Sequence, residues 1–172
     1  MAEFLLVDGY NIIFAWDMLK SIAEDSLVNA RLKLIDILSD YQGSTGADVI
    51  LVFDAHKVKE SHGHIERHGN LQVVYTKEAE TADSYIEKTA RKLLQGAVVR
   101  VATNDYLEQI IIMSHGARRV SASGLLEEIN AIKKRQRLKY IENRPIKQNP
   151  LFDRLDEKTA GILEQMRRNN GR

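Results

Sequence analysis

At 172 residues, with 44% hydrophobic and 28% charged side chains, the chain is long enough for one domain and a small appendage and too short for two full domains. Net charge is +1 and cysteine is absent, which excludes disulfides, thiolate nucleophiles and cysteine-ligated zinc and leaves any polyanionic partner to the distribution of charge. No apolar run is long enough to cross a bilayer, and the N-terminus lacks a basic segment ahead of a long apolar stretch, so the expectation is a cytoplasmic protein with no membrane partner.

The first element is the wholly apolar run Phe4-Leu5-Leu6-Val7, which ends abruptly in Asp8-Gly9-Tyr10-Asn11. Apolar residues without alternation predict a strand buried on both faces, with Asp8 at its carboxyl end. Ile12 to Glu24 is expected as a loop or a short helix, and Asp25-Ser26 as the source of a cap for a helix carrying Leu27, Ala30, Leu34, Leu38 and Tyr41 on one face. Val49 to Phe53 is a second apolar strand ending in a carboxylate, Asp54. Ala55 to Asn70 reads as an irregular polar loop with His56, His62, His64 and His68; their spacing does not match a paired-ligand zinc helix, although protonated imidazoles with Lys57, Lys59 and Arg67 could meet a phosphate backbone.

Leu71 to Tyr75 is the third strand, followed by Glu78-Ala79-Glu80-Thr81-Ala82-Asp83 opening a helix whose core face is Ala82, Ile86, Ala90, Leu93 and Leu94. Val98 to Ala102 is the fourth, ending at Thr103-Asn104-Asp105; a helix over about Tyr106 to Ser114 and a short fifth strand over Ala117 to Ser121 follow. A helix from Ser123 to about Glu142 turns strongly basic through Lys133, Lys134, Arg135, Arg137 and Lys139. Asn143 to Pro150 is expected as a linker and Leu151 to Arg168 as a last amphipathic helix, giving a main domain over 1–142 and an appendage over 143–172. Alternating strands and helices predict an α/β fold, with a mainly parallel five-stranded sheet between two helical layers and a C-terminal helical extension.

Parallel strands deliver their carboxyl ends to one edge, so Asp8, Asp54 and Asp105 should converge there, with Glu80 and Asp83 arriving at a helix start. Carboxylates forced together repel, and a hard divalent cation, Mg2+ or Mn2+, is the usual relief. Such an ion can activate water for attack on a phosphodiester, and two ions can also stabilise the leaving oxygen. Glu80 and Asp83, three apart, could share an ion from one helical turn, and the neutral Asn11 could orient water or phosphate without adding repulsion. Taken singly, Asp8 could start a turn, Asn11 could be a left-handed turn residue, Asp54 could simply end a strand, and Asp83 and Asp105 could serve helix starts. A Walker loop, a dinucleotide fingerprint and a serine elbow are absent, and Tyr10 stands where an aspartyl-nucleophile phosphatase wants its second Asp.

Leu5-Leu6-Val7-Asp8-Gly9-Tyr10-Asn11, Val52-Phe53-Asp54, Glu80-Thr81-Ala82-Asp83 and Thr103-Asn104-Asp105 together resemble the NYN domain, specifically its YacP-like branch within the PIN-like nuclease group, over roughly Ala2 to Lys139. That resemblance implies a PIN-like three-layer fold, a magnesium or manganese site, and endonucleolytic cleavage of single-stranded RNA, with mRNA and the ribosome as partners. It maps Asp8, Asn11, Asp83 and Asp105 onto the family's catalytic positions, with Asp8, Asp83, Asp105 and Glu80 as metal ligands; Asp54 and Glu80 match more loosely, and Asp54 and Asn104 are further candidates. Many PIN-like proteins carry another acidic residue where this chain has Leu107, which leaves one ion or two open. Lys133 to Lys147 is the densest basic stretch, either an RNA contact or a solvated helix face, and Trp16, Tyr10 and Tyr140 are either base-stacking or core residues. The rival function is an RNA- or ribosome-binding module that keeps the fold with little or no catalysis.

Overall fold

The computed structural model describes residues 2–54, 62–105 and 116–142. Ala2–Asp8 forms β1, Asp48–Phe53 β2, His62–His68 β3, Leu71–Lys77 β4, Ala97–Ala102 β5 and Arg118–Val120 β6. Gly9–Ala15 forms α1, Asp17–Asp25 α2, Leu27–Thr45 α3, Ala82–Leu93 α4 and Ala122–Glu142 α5. The expected helix over 106–114, His56, the linker over 143–150 and the helix over 151–168 lie outside the described residues, and the expected boundary after Glu142 falls where those residues end.

The sheet runs β3-β4-β2-β1-β5-β6, parallel throughout except for β3, which pairs antiparallel with β4. Its two faces carry separate cores, as unalternated apolar strands require. Leu5, Val7, Val49, Leu51 and Phe53 pack under α1, α2, α3 and α5, with Trp16, Leu34, Leu38 and Leu125. Leu6, Ile50, Val52, Val99 and Val101 pack under α4 through Ala82, Ile86 and Ala90. This is the expected three-layer α/β/α arrangement.

Two expectations change. Among the described residues the sheet has six strands, because His62–His68, expected within a loop, is an edge strand. Gly69-Asn70 is the two-residue hairpin loop between His68 and Leu71, which are paired, and Gly69 supplies the left-handed conformation at φ 64. Edge position explains the polar composition: His64 stacks on Tyr75 at 4.4 Å and bonds Glu66 at 2.9 Å, so no apolar alternation marks the strand. Ile12 to Glu24 resolves into two helices joined at Trp16, which ends α1 and caps α2. Trp16 is only 3% exposed and its indole N–H donates to the Ala122 carbonyl at 2.8 Å, so it is a core residue that ties this corner to α5.

The chain divides into two units at Lys133 and Lys134, and the sheet and both cores belong to the first. In the second, the described part of α5 is exposed at every residue from 134 to 141. Among the described residues, no helix is long and apolar enough to cross a membrane.

Candidate active site

β1 lies between β2 and β5, so the strand order reverses at β1, the point at which open α/β sheets form ligand crevices beyond their carboxyl ends. Asp8 stands opposite Val52 of β2, and Val7 opposite Ala102 of β5, which brings the residues following all three strands to one edge. There a cleft of about 280 Å³ is lined by Asp8, Asn11, Asp54, Asp83, Thr81 and the rings of Tyr10 and Phe14.

Asp8 is 5% exposed and caps α1. Its two carboxylate oxygens accept from the Asn11 backbone N–H at 3.0 Å and the Asn11 side-chain amide at 2.8 Å. Asn11 therefore lies in a helix rather than a left-handed turn, and its neutral amide orients the buried carboxylate. Gly9 is required between them by close approach: a Cβ there would collide with the Phe53 ring. Phe53 in turn holds Tyr10 edge-on at 5.2 Å, and the Tyr10 hydroxyl accepts from Arg31 at 3.0 Å. Burial raises the Tyr10 phenol above its ordinary range, against the opposing pull of Arg31.

Asp54 accepts from the Ala82 backbone N–H at 3.5 Å, linking the end of β2 to the start of α4. Thr81 caps that helix by accepting from the Ser84 backbone N–H at 3.2 Å. The helix therefore begins at Ala82, and Asp83 occupies its first turn. The Asp83 carboxyl is pushed above the usual carboxylate range, first by burial and then by the negative charges of Asp8, Asp105 and Asp54. Asp83 thus senses carboxylates from three other segments.

The remaining candidates separate. Glu80 precedes the Thr81 cap, its N–H bonded to the Lys77 carbonyl, so it does not share a helical turn with Asp83; it pairs with Lys88 at 3.9 Å and is not among the cleft-lining residues. Asp105 is exposed just past β5 and reaches the cluster through its charge on Asp83 rather than by lining the cleft. Asn104 turns to α5, accepting from the Ala122 N–H at 3.3 Å. Lys133, Lys134, Arg135, Arg137 and Lys139 are exposed on α5, as is Tyr140, whereas Tyr10 is buried apart from its contribution to the cleft. Thr81, Phe14 and Arg31 carry no catalytic motif of their own; only the Thr81-to-Ser84 spacing, a capping pattern, signals one of them in the sequence.

Among the described residues, no three His, Asp or Glu side chains are gathered closely enough to hold a metal ion by themselves. Magnesium is commonly held by one or two carboxylates with water and substrate phosphate completing its shell, so Asp8 and Asp83, with Asp54 and Asp105 nearby in charge, are the groups that could receive one.

Comparison with known proteins bears on the family of the whole chain. The chain is 47% identical over 134 residues to YacP of Bacillus subtilis (strain 168), a protein described as uncharacterized, covering 77% of this chain and 78% of that one. It is similar to the crystal structure of Rae1 (YacP) from Bacillus subtilis, with TM-score 0.69, 40% identity, and coverage of 97% of this chain and 95% of that chain. The crystal structure of a single-residue mutant of that protein matches with the same TM-score of 0.69 at 38% identity, covering 95% of this chain and 99% of that one. With the YacP-like NYN domain family matched over residues 5–168, and with the Asp-Gly-Tyr-Asn turn folded into the cleft that gathers the acidic residues, this chain belongs to that family of nuclease-type domains.

Proposed function

We propose that this protein is a divalent-metal-dependent endoribonuclease that cleaves single-stranded RNA, with mRNA on the ribosome as its setting. The observation that carries this is the cleft at the switch point of the sheet, where Asp8, Asp54 and Asp83 arrive from three separate segments. Such a concentration opposes folding unless it serves a cation, and it suits phosphodiester hydrolysis.

Asp8 and Asp83 are the residues that would hold Mg2+ or Mn2+, with Asp54 beside them in the cleft and Asp105 adding its charge from the end of β5. When bound, the ion would supply water activation and neutralise charge on the phosphodiester. Asn11 fixes the orientation of the Asp8 carboxylate through two hydrogen bonds. Thr81 and the start of α4 shape the opposite wall. The exposed basic turns from Lys133 to Lys139 would attract the RNA backbone without reading its sequence.

Those basic turns also favour a second possibility, an RNA- or ribosome-binding module that does little chemistry. Incubating RNA with wild type, Asp8→Asn and Asp83→Asn in magnesium or manganese separates the two. Cleavage by wild type that chelator and either substitution abolish is expected; full activity in both variants would sink the nuclease assignment. RNA binding indifferent to chelator, with no products under any divalent ion, would favour the module.

A further inference from the structure

Phe14 lines the same cleft yet has no role in carboxylate chemistry. The residue is 46% exposed, although removing an apolar ring from water is favourable. It is also held in place: it stacks on Tyr10 at 6.4 Å with 24° between the planes, and Tyr10 is pinned by Phe53 and Arg31. Along α1, Phe14 stands three residues, about 4.5 Å of helix rise, beyond Asn11, the residue that orients Asp8. A flat apolar surface thus sits within one nucleotide's reach of the proposed reacting centre.

We propose that Phe14 is a base platform, on which an unpaired nucleobase of the bound strand stacks beside the carboxylates. The identity of the strand rests on the endoribonuclease assignment above. Stacking on an aromatic ring strengthens binding by about 10-fold per base and is tolerant of sequence, because every base has a π-face. A duplex covers those faces with neighbouring bases, so the platform selects for single strands without selecting a particular base. The Tyr10 ring beneath keeps the Phe14 ring oriented before substrate arrives, which reduces the entropy lost on binding.

The test is a binding cycle on the full chain carrying Asp83→Asn, using short single-stranded oligoribonucleotides of mixed sequence in the presence of Mn2+, with each nucleotide in turn replaced by an abasic one. One position is expected at which losing the base weakens binding about 10-fold. Adding Phe14→Ala should weaken the intact strand by a similar factor and abolish that position's penalty. Phe14→Trp should restore affinity and show tryptophan quenching when the strand binds. Unchanged affinity in Phe14→Ala, abasic penalties that persist in it, or no oligoribonucleotide binding at all would overturn the platform. Loss of ribosome co-sedimentation alone, with oligoribonucleotide affinity intact, would overturn it in favour of a protein contact. Cleavage assays on the wild-type background judge the parent assignment separately: cleavage with a neutral Phe14→Ala removes only the platform, and an intact abasic cycle without cleavage removes only the catalysis.

Discussion

Two polar clusters serve the same sheet with opposite electrostatics. In the cleft, burial and then the like charges gathered at the strand ends push the Asp83 carboxyl upward. In the middle of β5, Arg100 faces the helical layer of α3 and α5 and meets complementary groups instead: Glu128 through two bonds at 3.1 and 2.5 Å, Tyr41 at 3.2 Å and Glu3 at 3.3 Å. Tyr41 donates to Glu128 at 2.8 Å, and burial with that bond pushes its phenol up to about 12. The Arg100 guanidinium holds the Glu128 carboxyl below the usual range. A network of opposite charges joins sheet to helices, whereas a cluster of like charges stores repulsion that a bound cation or a proton relieves.

The largest effect expected from breaking that contrast is catalytic. Asp83→Asn should lower metal-dependent RNA cleavage by about 100-fold or more, whereas Glu128→Gln should leave it within a few-fold, as single-turnover assays would read. A Glu128→Gln that abolishes cleavage would show that the two clusters are not separable.

Gly9→Ala comes next, because its Cβ collides with Phe53 beneath the cleft. Overpacking there should cost about 1–3 kcal/mol in urea unfolding and loosen Tyr10 as well. Glu128→Gln should cost about 2 kcal/mol at neutral pH by leaving the mostly buried Arg100 short of its partner. Its pH dependence has a definite sign. Because the folded pKa lies below the unfolded one, the stabilisation is complete above the ordinary glutamate range and is lost as pH falls through the folded value. The variant should therefore show a flatter acid limb than wild type.

The smallest effect has the opposite sign. Asp83→Asn should slightly raise the melting temperature without added metal, since it removes a charge that burial and three aspartates disfavour. Manganese should then raise the melting temperature of wild type more than that of the variant. Equal shifts in both would remove Asp83 from the metal site.

Most of the layer arrangement was legible because it rests on local, periodic signals. The apolar strands at Phe4, Val49, Leu71 and Val98, and the Ala82-Ile86-Ala90 face of α4, all pack as their spacing indicates. The His62–His68 strand was not legible from periodicity, since an edge strand of polar residues needs no apolar alternation, although the Gly69-Asn70 turn offered a cue. Arg100, a charged residue within the β5 run, is neutralised by Glu128 from 28 residues away, a pairing that no local spacing marks.

The site divides in the same way. The chain's local order alone placed Asp8 at a strand end with Gly9 and Asn11 after it, because strand, cap and first helical turn are contiguous. Tertiary structure decided the rest: that Phe53 leaves no room for a side chain at position 9, that the Thr81 cap turns Asp83 into the cleft while Glu80 pairs with Lys88, and that Phe14 stays exposed on a Tyr10 held from below. These depend on which segments the sheet brings together, and contacts across such separations leave no period in a sequence.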